Sequence, residues 1–249
     1  MKTIAVIPAR MGSTRFPGKP IASLLGRPMI EHIYKRVALS NALDATYIAT
    51  CDEEIREVAE GFGASVIMTA DTHERASDRV AEAVDGLDGD LVVMVQGDEP
   101  MTHPDMIDAA VHPFKEDLKL GCVNLVRRID HEADFHDPNT IKVVMDQSGN
   151  AIYMSRQPIP TMAKAGFAQT VAHKQVCIIP FRREMLFNYT RLQPTPLEQL
   201  ESIDMLRLLE HGYTVKMVPT EFNTQAVDTE ADLARVAELM TDDPLLTSY

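Results

Sequence analysis

Short, almost unbroken apolar runs alternate along the N-terminal half with stretches whose apolar positions recur every three or four residues. The runs predict strands at Thr3 to Pro8, Thr46 to Thr50, Ser65 to Met68 and Leu91 to Gln96. The periodic stretches predict helices at Met29 to Leu39 after Pro28, Glu53 to Phe62, Ser77 to Val84 and Asp105 to Val111. Gly18, Gly26, Gly61, Gly63 and Gly97 stand where turns are needed. Strands that are apolar throughout and separated by helices imply a mostly parallel sheet covered on both faces.

The second half changes character. Lys119 to Arg128, Ile141 to Met145 and Ala151 to Ser155 read as extended, with Asp146 to Asn150 as a hairpin turn. An antiparallel excursion is expected there. Helical patterning returns from Pro196 through Glu210 and from Glu230 to Met240, with a strand from Thr214 to Pro219 between them. No repeat, heptad, low-complexity segment or convincing linker interrupts the chain, so residues 1–249 are expected to form a single domain, large or built of two intimately joined lobes.

Charge sharpens this picture. The chain carries 24 Lys and Arg against 37 Asp and Glu, a net charge of −13. A general nucleic-acid surface would work against that field. Yet the first thirty residues hold Lys2, Arg10, Arg15, Lys19 and Arg27 and no acidic residue. Three of these cations fall in the loop from Ala9 to Pro20, which directly follows the first strand. That points to a small phosphorylated ligand. No apolar run approaches membrane-spanning length and the N-terminus lacks a secretory apolar segment, so a cytoplasmic protein is expected. Cys51, Cys122 and Cys177 have neither disulfide-framework nor zinc spacing, and read as small apolar residues near strands.

Four segments carry candidate chemistry. The Ala9 to Pro20 loop is not a Walker A motif, because Gly12 and Gly18 enclose five residues and Lys19 is followed by Pro20. Its small residues still let backbone N–H groups approach a phosphate, while Arg10, Arg15 and Lys19 spread charge along a triphosphate. A solvated turn with surface cations is the plainer reading. Leu91 to Val95 runs into Gln96-Gly97-Asp98-Glu99-Pro100, and ligands of open α/β sheets bind beyond the carboxyl ends of strands. Asp98 is there either to hold a metal against phosphate or to form an ordinary turn or cap. Ala226-Val227-Asp228-Thr229 approaches the last helix, with Asp228 a second metal carboxylate or one of the pair capping that helix. The fourth set is rich in proline: Asp137 to Val144, Tyr153 to Pro160 and Gln193 to Gln199.

Taken together these segments resemble the 3-deoxy-manno-octulosonate cytidylyltransferases, over nearly the whole chain. The matching residues are Ile7-Pro8-Ala9-Arg10, Ser13-Thr14-Arg15, Pro17-Gly18-Lys19-Pro20, Val95 to Pro100, Pro138-Asn139, Lys142-Val143-Val144, Tyr153, Ser155-Arg156, Ile159-Pro160, Gln193-Pro194, Pro196-Leu197-Glu198 and Val227-Asp228-Thr229. The resemblance implies a nucleotide-diphospho-sugar transferase fold, Rossmann-like, with CTP as donor, Mg²⁺ as cofactor, a sugar acid as acceptor and a homodimer as the assembly. It assigns catalysis to Arg10, Lys19 and Asp98, and nucleotide binding to Ala9, Arg10, Gly12, Ser13, Arg15, Lys19, Ser77 and Arg79. Acceptor binding would fall to Gln96, Arg156, His173, Glu198 and Gln199, and the metal to Asp98 and Asp228.

Two departures bear on the acceptor. Arg75-Ala76-Ser77-Asp78-Arg79 replaces the family's Ser-Gly-Thr loop, and His173-Lys174-Gln175-Val176-Cys177-Ile178-Ile179 replaces a strand with two glycines and two tyrosines. A different acceptor is the alternative: a modified octulosonate, a nonulosonate, or a small carboxylate or phosphonate.

Overall fold

The computed structural model describes residues 1–12, 15–162 and 166–249. Its contacts divide the chain into two compact units, residues 1–108 with 223–249, and residues 109–222.

The first unit begins with β1 (Thr3–Pro8), every residue of which is buried. A small hairpin follows, β2 (Ser23–Leu24) and β3 (Arg27–Pro28), turned by Leu25 at φ 49° and Gly26 at φ 83°. Two successive positive φ values give the twist that suits a two-residue hairpin turn. Then come α1 (Met29–Ala38), β4 (Ala45–Thr50), α2 (Glu53–Gly61), β5 (Ser65–Met68), α3 (Ala76–Val84), β6 (Leu91–Val95) and α4 (Pro104–Val111). The strands run parallel in the order β6-β1-β4-β5. With helices supplying cover, β1 and β6 are buried along their whole length, which accounts for their unalternating apolar sequences. Helix α1 buries Met29, Ile30, Ile33 and Val37, an i, i+1, i+4, i+8 stripe.

The second unit holds the short helix α5 (Pro113–Glu116), β7 (Val123–Arg128), α6 (Glu132–His136), β8 (Lys142–Met145), β9 (Ala151–Ser155), β10 (His173–Val176), β11 (Ile178–Arg182), α7 (Arg183–Arg191), α8 (Pro196–Glu201), α9 (Met205–Glu210) and β12 (Lys216–Pro219). Its sheet runs β12-β7-β10-β8-β9, parallel between β12 and β7 and antiparallel elsewhere. The expected hairpin turn is present: Gly149 takes φ 75°, and Asn150 N–H donates to Asp146 Oδ1 at 2.8 Å. The expected single helix over Pro196 to Glu210 is two helices. Ser202 adopts a left-handed conformation at φ 53° and ends α8.

The chain returns to the first unit with α10 (Glu230–Met240). Tyr249 then docks on α1. Its hydroxyl accepts from Arg36 Nε at 3.0 Å and bonds His32 Nδ1 at 2.9 Å, while His32 Nε2 bonds the Leu24 carbonyl at 2.7 Å. Arg36 reaches on to Asp243 at 2.5 Å.

Candidate functional site

The loop after β1 is shaped by its own backbone. Asp52, just before α2, accepts the Met11 N–H at 2.8 Å, and Gly18 N–H reaches the Met11 carbonyl at 3.3 Å. Gly18 sits at φ 73°, where a side chain would be strained. This brings Lys19 under the first unit's cleft. Ser13 of the expected nucleotide set lies outside the described residues.

Lys19 is the centre of the charge arrangement. Its Nζ donates to Asp98 Oδ2 at 3.1 Å, to the Val227 carbonyl at 2.7 Å and to Asp228 Oδ1 at 3.5 Å. Arg15 adds a second cation 3.2 Å from Asp228 Oδ1. The segments carrying the two carboxylates are tied directly, because Val227 N–H donates to the Asp98 carbonyl at 2.9 Å. The capping question resolves in favour of Thr229: its Oγ1 accepts from Asp232 N–H, and Asp232 accepts from Thr229 N–H in return. Asp228 therefore keeps its carboxylate for Lys19 and Arg15.

Around this centre lies a cleft of about 340 Å³ whose lining includes Ala9, Arg10, Gly12, Arg15, Lys19, Gln96, Asp98 and Asp228. Its backbone approaches closely at Gly97, where a Cβ would stand 2.6 Å from the Pro8 carbonyl oxygen. Among the described residues no group of three or more His, Cys, Asp or Glu gathers to hold a metal ion. Asp98 and Asp228 both converge on Lys19. Two carboxylates completed by phosphate and water are a common setting for Mg²⁺, so the donor set fits a cation that arrives with a nucleotide.

The remaining expected residues fall in two groups. Arg79 also lines the cleft, its NH1 held by Thr69 Oγ1 at 2.5 Å and by the Ala70 carbonyl at 3.3 Å. Ser77 does not. It is fully buried on α3, with its hydroxyl 3.9 Å from Met94 Sδ of β6. His73, Glu74, Arg75 and Ala76 line the cleft as well, and the sequence reading passed over His73 and Glu74 because a polar turn before a helix carries no spacing signal.

The second unit holds Arg156, His173, Glu198 and Gln199. Glu198, expected to meet acceptor hydroxyls, is spent on the fold. It is completely buried, takes Arg207 Nε at 2.8 Å and NH2 at 2.6 Å, and accepts the Thr195 N–H. Arg156 is similarly engaged: Nε donates to the Glu201 carbonyl at 2.6 Å, NH1 to Pro138 and NH2 to Ser202. Glu201 in turn collects Tyr153, Ser155 and the Arg156 N–H. Lys142 is buried with its ammonium on the carbonyls of Asp137, Thr140 and Arg156. Much of the proline-rich signature thus builds one polar knot. Gln199 is exposed, and His173 is half-buried on β10, where burial and then Arg128 hold its imidazole below the usual range.

Comparison with known proteins agrees with this geometry. A cytidylyltransferase family model matches residues 4–218. The chain is 40% identical to a 3-deoxy-manno-octulosonate cytidylyltransferase of Geobacter metallireducens, over 97% of this chain and 98% of the relative, and 42% identical to one of Solibacter usitatus, over 96% and 94%. Among solved structures it resembles a CMP:2-keto-3-deoxy-manno-octonic acid synthetase complexed with CTP, with a TM-score of 0.91, 35% identity, and coverage of 98% of this chain and 100% of the other. A cytidylyltransferase from Leptospira borgpetersenii shares the fold at a TM-score of 0.66 and 17% identity, over 97% of this chain and 87% of the other. The chain belongs to the cytidylyltransferase family, in its 3-deoxy-manno-octulosonate branch.

Proposed function

We propose that this protein couples CTP to 3-deoxy-manno-octulosonate (Kdo), giving CMP-Kdo and pyrophosphate. The observation that carries this reading is Lys19 held between Asp98 and Asp228 in a cleft lined by Arg10 and Arg15. In the reaction the anomeric hydroxyl oxygen of the acid bonds to the α-phosphorus of CTP and gives up its proton to water, the bond from that phosphorus to the bridging oxygen breaks, and pyrophosphate departs with the electron pair. Such transfers are governed by positioning and electrostatics, so the chain needs no nucleophilic side chain.

Arg10, Arg15 and Lys19 neutralise the triphosphate and the departing pyrophosphate. The backbone of Ala9 and Gly12 follows the phosphates, Ser13 is assigned to the same nucleotide, and Arg79 holds a wall of the cleft. Asp98 and Asp228 would hold Mg²⁺, which supplies further charge neutralisation at the reacting phosphorus. Once nucleotide enters, Lys19 exchanges a carboxylate partner for a phosphate oxygen. Gln96, beside Asp98 in the first unit's cleft, contacts the acid. Arg156 and Glu198 act indirectly, by holding the second unit's polar knot. Within this reading the enzyme is a cytoplasmic homodimer of 1–249 nucleotidyltransferase domains.

A second reading keeps the donor chemistry and changes the acceptor. It is favoured by the sequence of β10 and the residues after it, His173-Lys174-Gln175-Val176-Cys177-Ile178-Ile179, which lacks the glycines and tyrosines of the family's strand. Pyrophosphate release from CTP and Mg²⁺, measured with Kdo beside related sugar acids and small phosphonates, tests both. Turnover with Kdo is the expected result; release only with another acid transfers the assignment to the second reading, and silence with every acceptor removes both.

A further inference from the structure

Asp52 stands where a side chain caps a helix, and does something else. Its backbone is extended, at φ −101° and ψ 121°, and its carbonyl accepts the Arg56 N–H at 3.1 Å, as at the start of α2. Yet among the described residues its carboxylate makes no capping bond to that helix. Asp52 Oδ2 instead accepts the Met11 N–H at 2.8 Å, from the loop 41 residues earlier. Asp52 is itself fixed, because its own N–H donates to Thr50 Oγ1 at 3.1 Å.

The front of the Lys19 loop is tied down on both sides of Arg10. Ala9 N–H donates to the Ala49 carbonyl at 2.9 Å and Met11 N–H to Asp52, so both ties run to the segment that joins β4 to α2. The Met11 carbonyl then takes the Gly18 N–H at 3.3 Å, which closes the loop just ahead of Lys19. Arg10 and Gly12 line the cleft, whereas Met11 and Asp52, both described, are not among its lining residues. Asp52 grips the loop from behind. A carboxylate is a strong acceptor for such an N–H. By its charge alone it would repel an incoming triphosphate, so grip and repulsion predict opposite outcomes when it is replaced.

We propose that Asp52 is a positioning residue for the triphosphate: by holding the Met11 N–H it presets Arg10 and Gly12, so that binding does not have to order the loop. It touches no reacting atom. This inference rests on the reading of the Ala9 to Pro20 loop as the triphosphate site.

The test is calorimetric CTP binding, and pyrophosphate release with CTP, Mg²⁺ and Kdo, for the wild type, Asp52→Ser and Asp52→Asn, each with its melting temperature. Serine is a preferred cap, so Asp52→Ser supports α2 while its hydroxyl, a bond shorter, lets the Met11 N–H go. It is expected to melt close to the wild type, to raise Kd and KM for CTP about tenfold or more, and to leave KM for Kdo unchanged. Asp52→Asn keeps an acceptor oxygen and retains most of the affinity. Wild-type affinity in Asp52→Ser, or tighter binding in either variant, overturns the proposal, because the carboxylate would then do no more than oppose the phosphates. Equal impairment in Asp52→Asn and Asp52→Ser overturns it too. So does a loss in Asp52→Ser that follows a lower melting temperature and vanishes on cooling, the mark of a plain fold tie. Should the wild type release no pyrophosphate with any acceptor, the functional reading fails by itself, and binding of inorganic tripolyphosphate decides the inference. A weaker Kd in Asp52→Ser that Asp52→Asn restores supports it; equal Kd values, or no binding at all, refute it.

Discussion

Lys19 is the residue on which the site turns, because one ammonium offsets two carboxylates and a backbone carbonyl at once. Removing it strips Asp98 and Asp228 of the ammonium they share and leaves Asp228 to Arg15. Lys19→Met is expected to lower kcat/KM for CTP by about 10²- to 10³-fold, the scale for losing a preorganised charge at a reacting centre, and Asp98→Asn to abolish turnover. Circular dichroism and melting should stay close to wild type for both. His32 makes a different prediction, about pH. Burial chiefly, then Arg36 and Arg27, hold its imidazole below the ordinary value against the opposing pull of the Leu24 carbonyl and Glu31. The unfolded chain takes up this proton near pH 6.5 and the folded chain only at lower pH. Between those points the unfolded state binds more protons, so stability is full above about pH 6.5 and declines as pH falls. His173 is shifted in the same direction and adds to the effect. Melting temperatures from pH 7 to pH 5 should therefore drop, and drop less steeply in His32→Gln.

Between α8 and α9 the Glu198–Arg207 pair is almost fully withdrawn from water, with side-chain exposures of 1% and 6%. Arg207 also lies 4.4 Å over the Tyr189 ring. Glu198→Gln is expected to cost about 3–5 kcal/mol in urea melts, because it leaves a buried guanidinium without its anion. Replacing both partners by Met and Leu should cost less than either single change. Elements of this kind explain what could be read from sequence and what could not. The strands β1, β4, β5 and β6 are short apolar runs bounded by glycine or charge, and each was legible to within a residue or so. The Ser202 break was not, since nothing in Leu200-Glu201-Ser202-Ile203 marks a left-handed residue. Nor was α7, which follows β11 directly at Arg182-Arg183 with no glycine or proline between them. The reading of Lys19, Asp98 and Asp228 as neighbours came from family resemblance, since their separation in sequence hides their proximity in space. For Glu198 and Arg156 the converse holds: a charged residue in a motif looks available until its partners in the fold, Arg207 and Glu201, are known.

At the scale of the whole molecule, the net charge of −13 surrounds one cleft whose loop is wholly basic in its ionisable groups. Charge of that sign disfavours polyanions at large while the local cations admit a single nucleotide. No helix among the described residues is long and apolar enough to cross a membrane. The proposed homodimer predicts a light-scattering mass near twice the 27.7 kDa of one chain, and a mass equal to one chain would remove it. The division into two units has a further consequence, in the order of synthesis. The first unit is closed by residues 223–249, which are made after the entire intervening unit of residues 109–222. A growing chain thus carries the Lys19 loop and Asp98 for most of its elongation without Asp228, α10 or the Tyr249 contact on α1. Folding from the N-terminus cannot finish what it starts. The intervening unit has all its strands first, and chains truncated after Phe222 should expose the first unit, short of α10, to protease while residues 109–222 resist it.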